Sequence, residues 1–407
     1  MSSEPRQPAS VREVVEHGLC IGCGLCEALG PDRWKMTITE EGRLRPAPLG
    51  DEAPQADAAI LAACPGVVAE ATADGAEQDD VWGRYAHMGE AWAGDPEIRF
   101  RAATGGVLTA LGMHLLKTGK ARFILHCMAD PEHPVRSKWV MSETPEDVAR
   151  HAGSRYGPSD TLAGLEVALA RGEPFAIIAK PCDAGAVRAR AKVDPRLDEL
   201  LVAVLVMVCG GASDLGKSWM LLDELGVDED DVTLFRYRGF GNPGRARVET
   251  KDGRAFERTY DELWGDEAGW RIQTRCKLCP DAIGEAADIA AADIWPDAQP
   301  EGEDAGFNGI ITRTAMGQRL MQAAVEAGDL ILGKDHTPRD YDHFQPHQVN
   351  KKHAMAARLR GLTRAGWPVY AHDGLRLDTL DTGNEAEEQG AHDRARSGRF
   401  AERLPRP

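Results

Sequence analysis

Leu201-Val-Ala-Val-Leu-Val-Met-Val-Cys209 carries no charged side chain before its terminal thiol. Phe123-Ile-Leu-His-Cys127 and Phe175-Ala-Ile-Ile-Ala179 have the same character. Strand-length runs that are apolar on consecutive positions are buried on both faces, so these predict a parallel or mixed sheet covered by helices. Residues 107–117, apolar at helical spacing, supply an amphipathic helix. The expected fold is α/β (α+β), with helices on both faces of the sheet. Cys127 and Cys209 end their runs, and Cys182 follows the third in Lys180-Pro-Cys182-Asp183. If the strands are parallel, all three thiols lie at the carboxyl edge, where open α/β sheets place their ligands.

The other six cysteines fall in two groups. Cys20-Ile-Gly-Cys23-Gly-Leu-Cys26 is a C-x2-C-x2-C run, with Cys64-Pro-Gly downstream. Thiolates so spaced in a glycine-containing loop wrap one cubane, and small residues let backbone amides point at its sulfides. Residues 35–46 read as a β-hairpin around Glu41-Gly42, folding out while Cys64 returns as fourth ligand. Four cysteines also suit zinc, but zinc ribbons present two separate C-x2-C pairs, so iron–sulfur is favoured here. Cys276-Lys-Leu-Cys279 is one further pair, open by itself to a redox-dithiol reading. With Cys182 and Cys209 it makes a second set of four; Cys127 is the spare, able to replace either.

The 407 residues suffice for two or three domains. A formal net charge of −17 argues against nucleic acid and anionic lipid. No apolar run is long enough to span a membrane, and the polar N-terminus does not read as a secretory signal. A cytoplasmic location is expected, where nine cysteines are ligands or catalytic groups rather than disulfides. There is no internal repeat, and the chain turns polar after about 340, with a mobile tail expected from Asp381 onward.

In these motifs the chain resembles the coenzyme F420 hydrogenase/dehydrogenase β-subunit family, relatives of which include 7-hydroxymethyl chlorophyll a reductase and ferredoxin-dependent divinyl chlorophyllide reductase. The resemblance runs from Cys20 to about Arg358. Besides the cysteines it rests on Thr104-Gly-Gly106, Gly153-Ser-Arg-Tyr-Gly-Pro-Ser159, Tyr237-Arg-Gly239, Asn242-Pro-Gly244, the stretch from Ala287 to Trp295, and Ile311-Thr-Arg-Thr314. It departs from the family where Thr104 replaces a usual serine and Lys180 a neutral residue. The resemblance implies a ferredoxin-like iron–sulfur unit over 1–75, a flavin-binding domain over 85–165, a domain with the second cysteine set over 166–340, and a partly disordered polar extension over 341–407. It implies FAD plus one or two [4Fe–4S] clusters; with both cysteine sets two are expected, on Cys20, Cys23, Cys26 and Cys64 and on Cys182, Cys209, Cys276 and Cys279.

Thr104 is then the expected N-cap of the 107–117 helix, with Gly105 and Gly106 admitting the flavin pyrophosphate to the first amides. Ser154, Arg155 and Tyr156 suit flavin or an anionic substrate, as do Arg238 and Gly239. Asp293 and Trp295 are expected to line the flavin ring. Arg155, Tyr156, Lys180 and His126, with His151 behind it, are the candidates for catalysis. The run His347, Lys351, Lys352, His353 reads as a solvated face. The main expectation is a reductase passing electrons from a reduced ferredoxin-like donor through the clusters to FAD and, as hydride, to an organic substrate. The alternative is an electron-transfer β subunit, linked to F420 or a nicotinamide, serving a partner oxidoreductase subunit of hydrogenase or formate dehydrogenase type. A zinc-binding interaction protein is the third reading.

Overall fold

The computed structural model describes residues 4–50, 57–295 and 305–405. Its centre is an eight-stranded mixed sheet, whose strands are labelled here in chain order: β1 (His87–Ala93), β2 (Phe123–Ala129), β3 (Ser137–Ser142), β4 (Phe175–Ala179), β5 (Leu201–Met207), β6 (Ile289–Asp293), β7 (Asn308–Thr312) and β8 (Leu330–Asp335). Their spatial order is β8-β1-β7-β6-β5-β4-β2-β3. The middle four, β6, β5, β4 and β2, pair in parallel. The outer strands add in antiparallel fashion on both sides.

The consecutive apolar positions are explained by two cores. Phe123, Leu125, Phe175, Ile177, Val204 and Val206 face one, shared with Leu165 and Val187 of the covering helices. Ile124, Ala176, Ala203 and Leu205 face the other, with Leu111 and Leu115 of the helix Val107–Lys117 and Leu320 of the helix Ala315–Glu326. That places helices on both faces, as the apolar runs predict. A separate three-stranded antiparallel sheet (Val232–Arg236, Ala246–Thr250, Ala255–Arg258) packs on Leu215, Leu222 and Trp264.

The N-terminal segment holds the predicted hairpin, Trp34–Ile38 paired antiparallel with Leu44–Pro48. Gly42 turns it with φ +79°, a conformation glycine adopts without strain.

The C-terminal segment departs from the expectation of a mobile tail. The 19-residue helix Pro346–Arg364 is followed by a strand, Ala371–Asp373, lying parallel to Val68–Glu70, and by a helix, Glu385–Arg396. This last helix buries only Ala391 and Ala395. It is held instead by ion pairs from Arg358 to Glu387 and from Arg360 and Arg364 to Glu388. Close approach is possible because Gly361 has no side chain; a Cβ there would lie 2.2 Å from the Glu388 carbonyl oxygen. Glu402 reaches further, accepting from Arg45 Nε at 2.6 Å and Nη2 at 3.1 Å, and Arg45 is fully buried. Polarity signals a free tail only when nothing answers the charges.

The expected solvated face is likewise corrected at Lys352, which is buried and ion-paired with Glu285. Arg376 takes the other oxygen of that carboxylate. Removing one partner of such a pair strands a charge in the interior. Glu285→Leu, which leaves Lys352 and Arg376 without that carboxylate, is therefore expected to destabilise the fold by about 3–5 kcal/mol, read as a lowered urea midpoint.

Candidate functional site

Because β6, β5, β4 and β2 run the same way, their carboxyl ends share one edge of the sheet. Cys182 sits in the first turn of the helix Pro181–Ala191 after β4, and Cys209 two residues past β5. The chain returns to this edge in the short helix Thr274–Lys277, bringing Cys276 and then Cys279. Cys182, Cys209, Cys276 and Cys279 together line a cavity of about 310 Å³, with Lys180, Asp281 and Lys351 also in its wall. Cys127, which ends a predicted strand in the same way, does not line it.

Cys20, Cys23, Cys26 and Cys64 line a second cavity, of about 380 Å³, otherwise walled by apolar side chains such as Val11, Val14 and Met36. Gly22 and Gly24 have positive φ, and Cβ atoms there would lie 2.3 Å from the Leu44 carbonyl oxygen and 2.6 Å from the Ala163 nitrogen. Only glycine lets the loop wrap this tightly. The Gly22 amide donates to Cys20 Sγ and the Gly66 amide to Cys64 Sγ, each at 3.4 Å. In the other cavity the Ala212 amide donates to Cys276 Sγ at 3.3 Å. Ile21, between the first two cysteines of the run, lines both cavities, so they share a wall.

Burial pushes these thiols up, Cys64 and Cys209 to about 12. Cys20, Cys23, Cys26, Cys182 and Cys279 also rise, first by desolvation. Among the described residues, no group of three or more His, Cys, Asp or Glu converges on a point that would hold a single metal ion. The thiols ring two spaces instead.

A third constellation lies at the end of β6. Asp293 accepts from Arg238 Nη1 at 2.9 Å and from the Thr104 hydroxyl. Arg238, 3% exposed, also donates to the Tyr156 hydroxyl at 3.2 Å, the Ala103 carbonyl at 2.9 Å, Thr104 Oγ1 at 3.2 Å and the Pro243 carbonyl at 3.1 Å. Its guanidinium lies 4.8 Å over the Trp295 ring and 5.2 Å over Tyr260. Gly239 follows with φ +109°, where a Cβ would lie 2.6 Å from the Arg101 carbonyl oxygen. Thr104, Tyr156, Arg238, Asp293 and Trp295 are thus brought together across 191 positions of chain, with Ser154 beside the Tyr156 phenol.

Other expected residues stand elsewhere. Thr104 is not the N-cap of its helix; Gly106 holds that position in the left-handed conformation, and Asn308 Oδ1 accepts from the Val107 amide at 3.3 Å. Gly105 packs so closely on Phe307 that a Cβ would lie 2.7 Å from its Cα. Arg155 spends its donors on the carbonyls of Pro134, Val135, Arg136 and Phe235 and on the Ser137 hydroxyl, tying loops together. Lys180 donates to the Ser159 carbonyl and hydroxyl and pairs with the buried Asp183 at 2.8 Å. Burial works against its charge, but Asp183 and Cys182 outweigh that and hold it protonated. His126 hydrogen-bonds Ser142 Oγ at 2.8 Å, and Ser142 in turn meets His151 at 3.1 Å. Sequence reasoning did not single out Ile21, Arg45, Ser142, Arg275 or Asn308. Arg275, beside Cys276 in the second motif, was the one with a visible signal.

The description "Coenzyme F420 hydrogenase/dehydrogenase, beta subunit N-term" matches residues 88–166, and its C-terminal counterpart matches 172–337. The chain belongs to this family. Among its relatives, the coenzyme F420 hydrogenase subunit beta of Methanococcus voltae is 25% identical over 71% of this chain and 99% of its own length. The coenzyme F420 hydrogenase subunit beta of Methanothermobacter thermautotrophicus is 25% identical over 61% of this chain and 84% of its own. The F420-dependent formate dehydrogenase 1 subunit beta of Methanococcus maripaludis is 26% identical over 58% of each. Among solved structures, a chain of the F420-reducing [NiFe] hydrogenase complex from Methanosarcina barkeri shares the fold, with a TM-score of 0.50, 20% identity, and coverage of 68% of this chain and 95% of that one. The second cysteine set and the Asp293 constellation fall inside the residues matched to the family. The first cysteine set and the segment after 337 fall outside them. Among the described residues, no helix is long and apolar enough to cross a membrane.

The histidine pair makes a pH prediction. Burial, with His151 adding to it, lowers His126 from the usual 6.5 to about 4. The unfolded chain therefore binds this proton more readily between pH 6.5 and 4. The stability tied to neutral His126 is complete above pH 6.5 and lost as pH falls toward 4, by about 3 kcal/mol in all. Denaturation midpoints against pH should show this slope, and His126→Gln should flatten it.

Proposed function

We propose that this chain is an electron-transfer subunit of a coenzyme F420-linked hydrogenase or dehydrogenase complex, holding two [4Fe–4S] clusters and FAD. The observation that carries the reading is the sorting of eight cysteines into two four-thiol cavities that share Ile21. Cys20, Cys23, Cys26 and Cys64 would hold one cluster, and Cys182, Cys209, Cys276 and Cys279 the other. Three closely spaced cysteines with Cys64-Pro downstream suit a cubane better than zinc, whose ribbons present two separate C-x2-C pairs. When bound, the clusters would supply one-electron transfer and the flavin its exchange with a hydride.

The protein's own groups fit those occupants. Amides of Gly22, Gly66 and Ala212 donate to cysteine sulfurs and so favour the more negative state. The buried thiols ionise only against a metal. Arg238, with its donors taken and its charge answered by Asp293, holds Thr104, Tyr156, Asp293 and Trp295 together as one wall of the site proposed for the flavin. The helix behind Gly105 and Gly106 begins close by. The named relatives are subunits of F420-linked enzymes, which favours the complex-bound subunit over the stand-alone, ferredoxin-dependent reductase.

Anaerobically purified protein should contain about eight iron, eight sulfide and one FAD per chain. Cys276→Ser should drop iron to about one cluster, and zinc without sulfide would sink the assignment. Arg238→Ala should lose FAD at unchanged iron content. Reduced F420 should bleach the flavin of the wild type within mixing time; a chain that answers only to reduced ferredoxin would return the stand-alone reductase.

A further inference from the structure

Arg275 is 3% exposed and sits between the two cysteine cavities. Its Nη2 donates to the carbonyl of Pro65, next to Cys64 in the first motif, at 2.7 Å. Its Nη1 donates to the Leu278 carbonyl, next to Cys279 in the second, also at 2.7 Å. Its Nε is buried with no hydrogen-bond partner, and the guanidinium lies 4.6 Å over the Tyr370 ring. Every other buried cation discussed above has a carboxylate: Arg45 has Glu402, Lys180 has Asp183, Arg238 has Asp293 and Lys352 has Glu285. Among the described residues no carboxylate pairs with Arg275.

A full charge without a counter-ion in a low-dielectric interior is costly, and such groups are retained where an anion answers them. Around Arg275 the anions in reach are thiolates. Arg275 itself precedes Cys276, and the two carbonyls it binds adjoin Cys279 and Cys64. Cys64 feels the same guanidinium from the first cavity. Lys351 differs: it lines the second cavity alone, and its charge is felt by Cys209 and Cys279.

We propose that Arg275 is a positioning residue whose single charge serves as counter-ion to both cysteine-held groups and raises the reduction potential of each. This rests on the two-cluster reading. Each reduction adds one electron, and so one negative charge, to a cysteine set whose loop Arg275 binds; taking the cation away disfavours that step at both places.

The test is an anaerobic dithionite titration followed by electron paramagnetic resonance, with Cys276→Ser identifying the signal of the first cavity. In Arg275→Gln, the reduced-to-oxidised ratio at a fixed potential should fall about tenfold for both signals, equivalent to about 59 mV for a one-electron couple. Lys351→Gln should move the second signal only, and Arg275→Lys should restore both. Full iron with a shift at one cavity or at neither overturns the proposal. If Arg275→Gln fails to load iron, Arg275→Lys decides: full iron and wild-type potentials support the charge, whereas loss of iron there too assigns Arg275 to loop structure and overturns it. Wild-type protein without iron would instead sink the cluster reading itself.

Discussion

Strands paired in parallel must end at the same edge, and four strands of this sheet are so paired. The chemistry that can gather at that edge is then a matter of which residue follows each strand. After β4 and β5 come Cys182 and Cys209; at the end of β6 comes Asp293. A register slip of one residue would exchange the two faces of a strand, driving Ile177 and Val204 into the core fitted to Ala176 and Ala203. The registers that keep Ile177, Val204 and Leu205 buried therefore also hold two thiols and a carboxylate in fixed relation. Packing energy sets the site geometry, and the loops that complete it need only reach the edge.

The chain carries 65 acidic and 48 basic side chains, so an average patch of surface is negative. Beside the buried thiols lie charges of both signs: Arg45 paired with Glu402, Lys180 paired with Asp183, Asp281 and Lys351 in the wall of the second cavity, and Arg275, for which the described residues hold no carboxylate. Burying a cation costs several kcal/mol unless something answers it. For Arg45 and Lys180 a carboxylate does so.

The sequence made part of this legible. Cysteine spacing isolates both sets because ligand geometry constrains short loops, and the 107–117 helix and the 175–179 strand stand where the apolar pattern predicts them. The hairpin over 34–48 was readable from Glu41-Gly42. What stayed hidden depends on contacts between distant segments. Thr104 looks like a helix cap because threonine often is one; that its hydroxyl serves Asp293, 189 residues away, is a tertiary fact. Arg155 looks like an anion binder until its donors are found on four carbonyls and a hydroxyl. Helix 385–396 looks like solvated tail because its partners, Arg358, Arg360 and Arg364, lie on another helix.

The family models span 88–337, and the segments on either side of them are built on one another. Ala371–Asp373 pairs with Val68–Glu70, the Val369 amide donates to the Arg6 carbonyl, and Glu402 holds Arg43 and Arg45 of the hairpin. Val14, Leu19 and Val67 share a core with Met355, Leu359, Leu362 and Phe400. Neither end would bury these faces alone. They form one addition to residues 88–337, assembled from the segments on either side. That addition encloses the first cavity and places Lys351 in the wall of the second. Ile21 and Arg275 sit on the seam, so the addition meets residues 88–337 where the two thiol cavities adjoin.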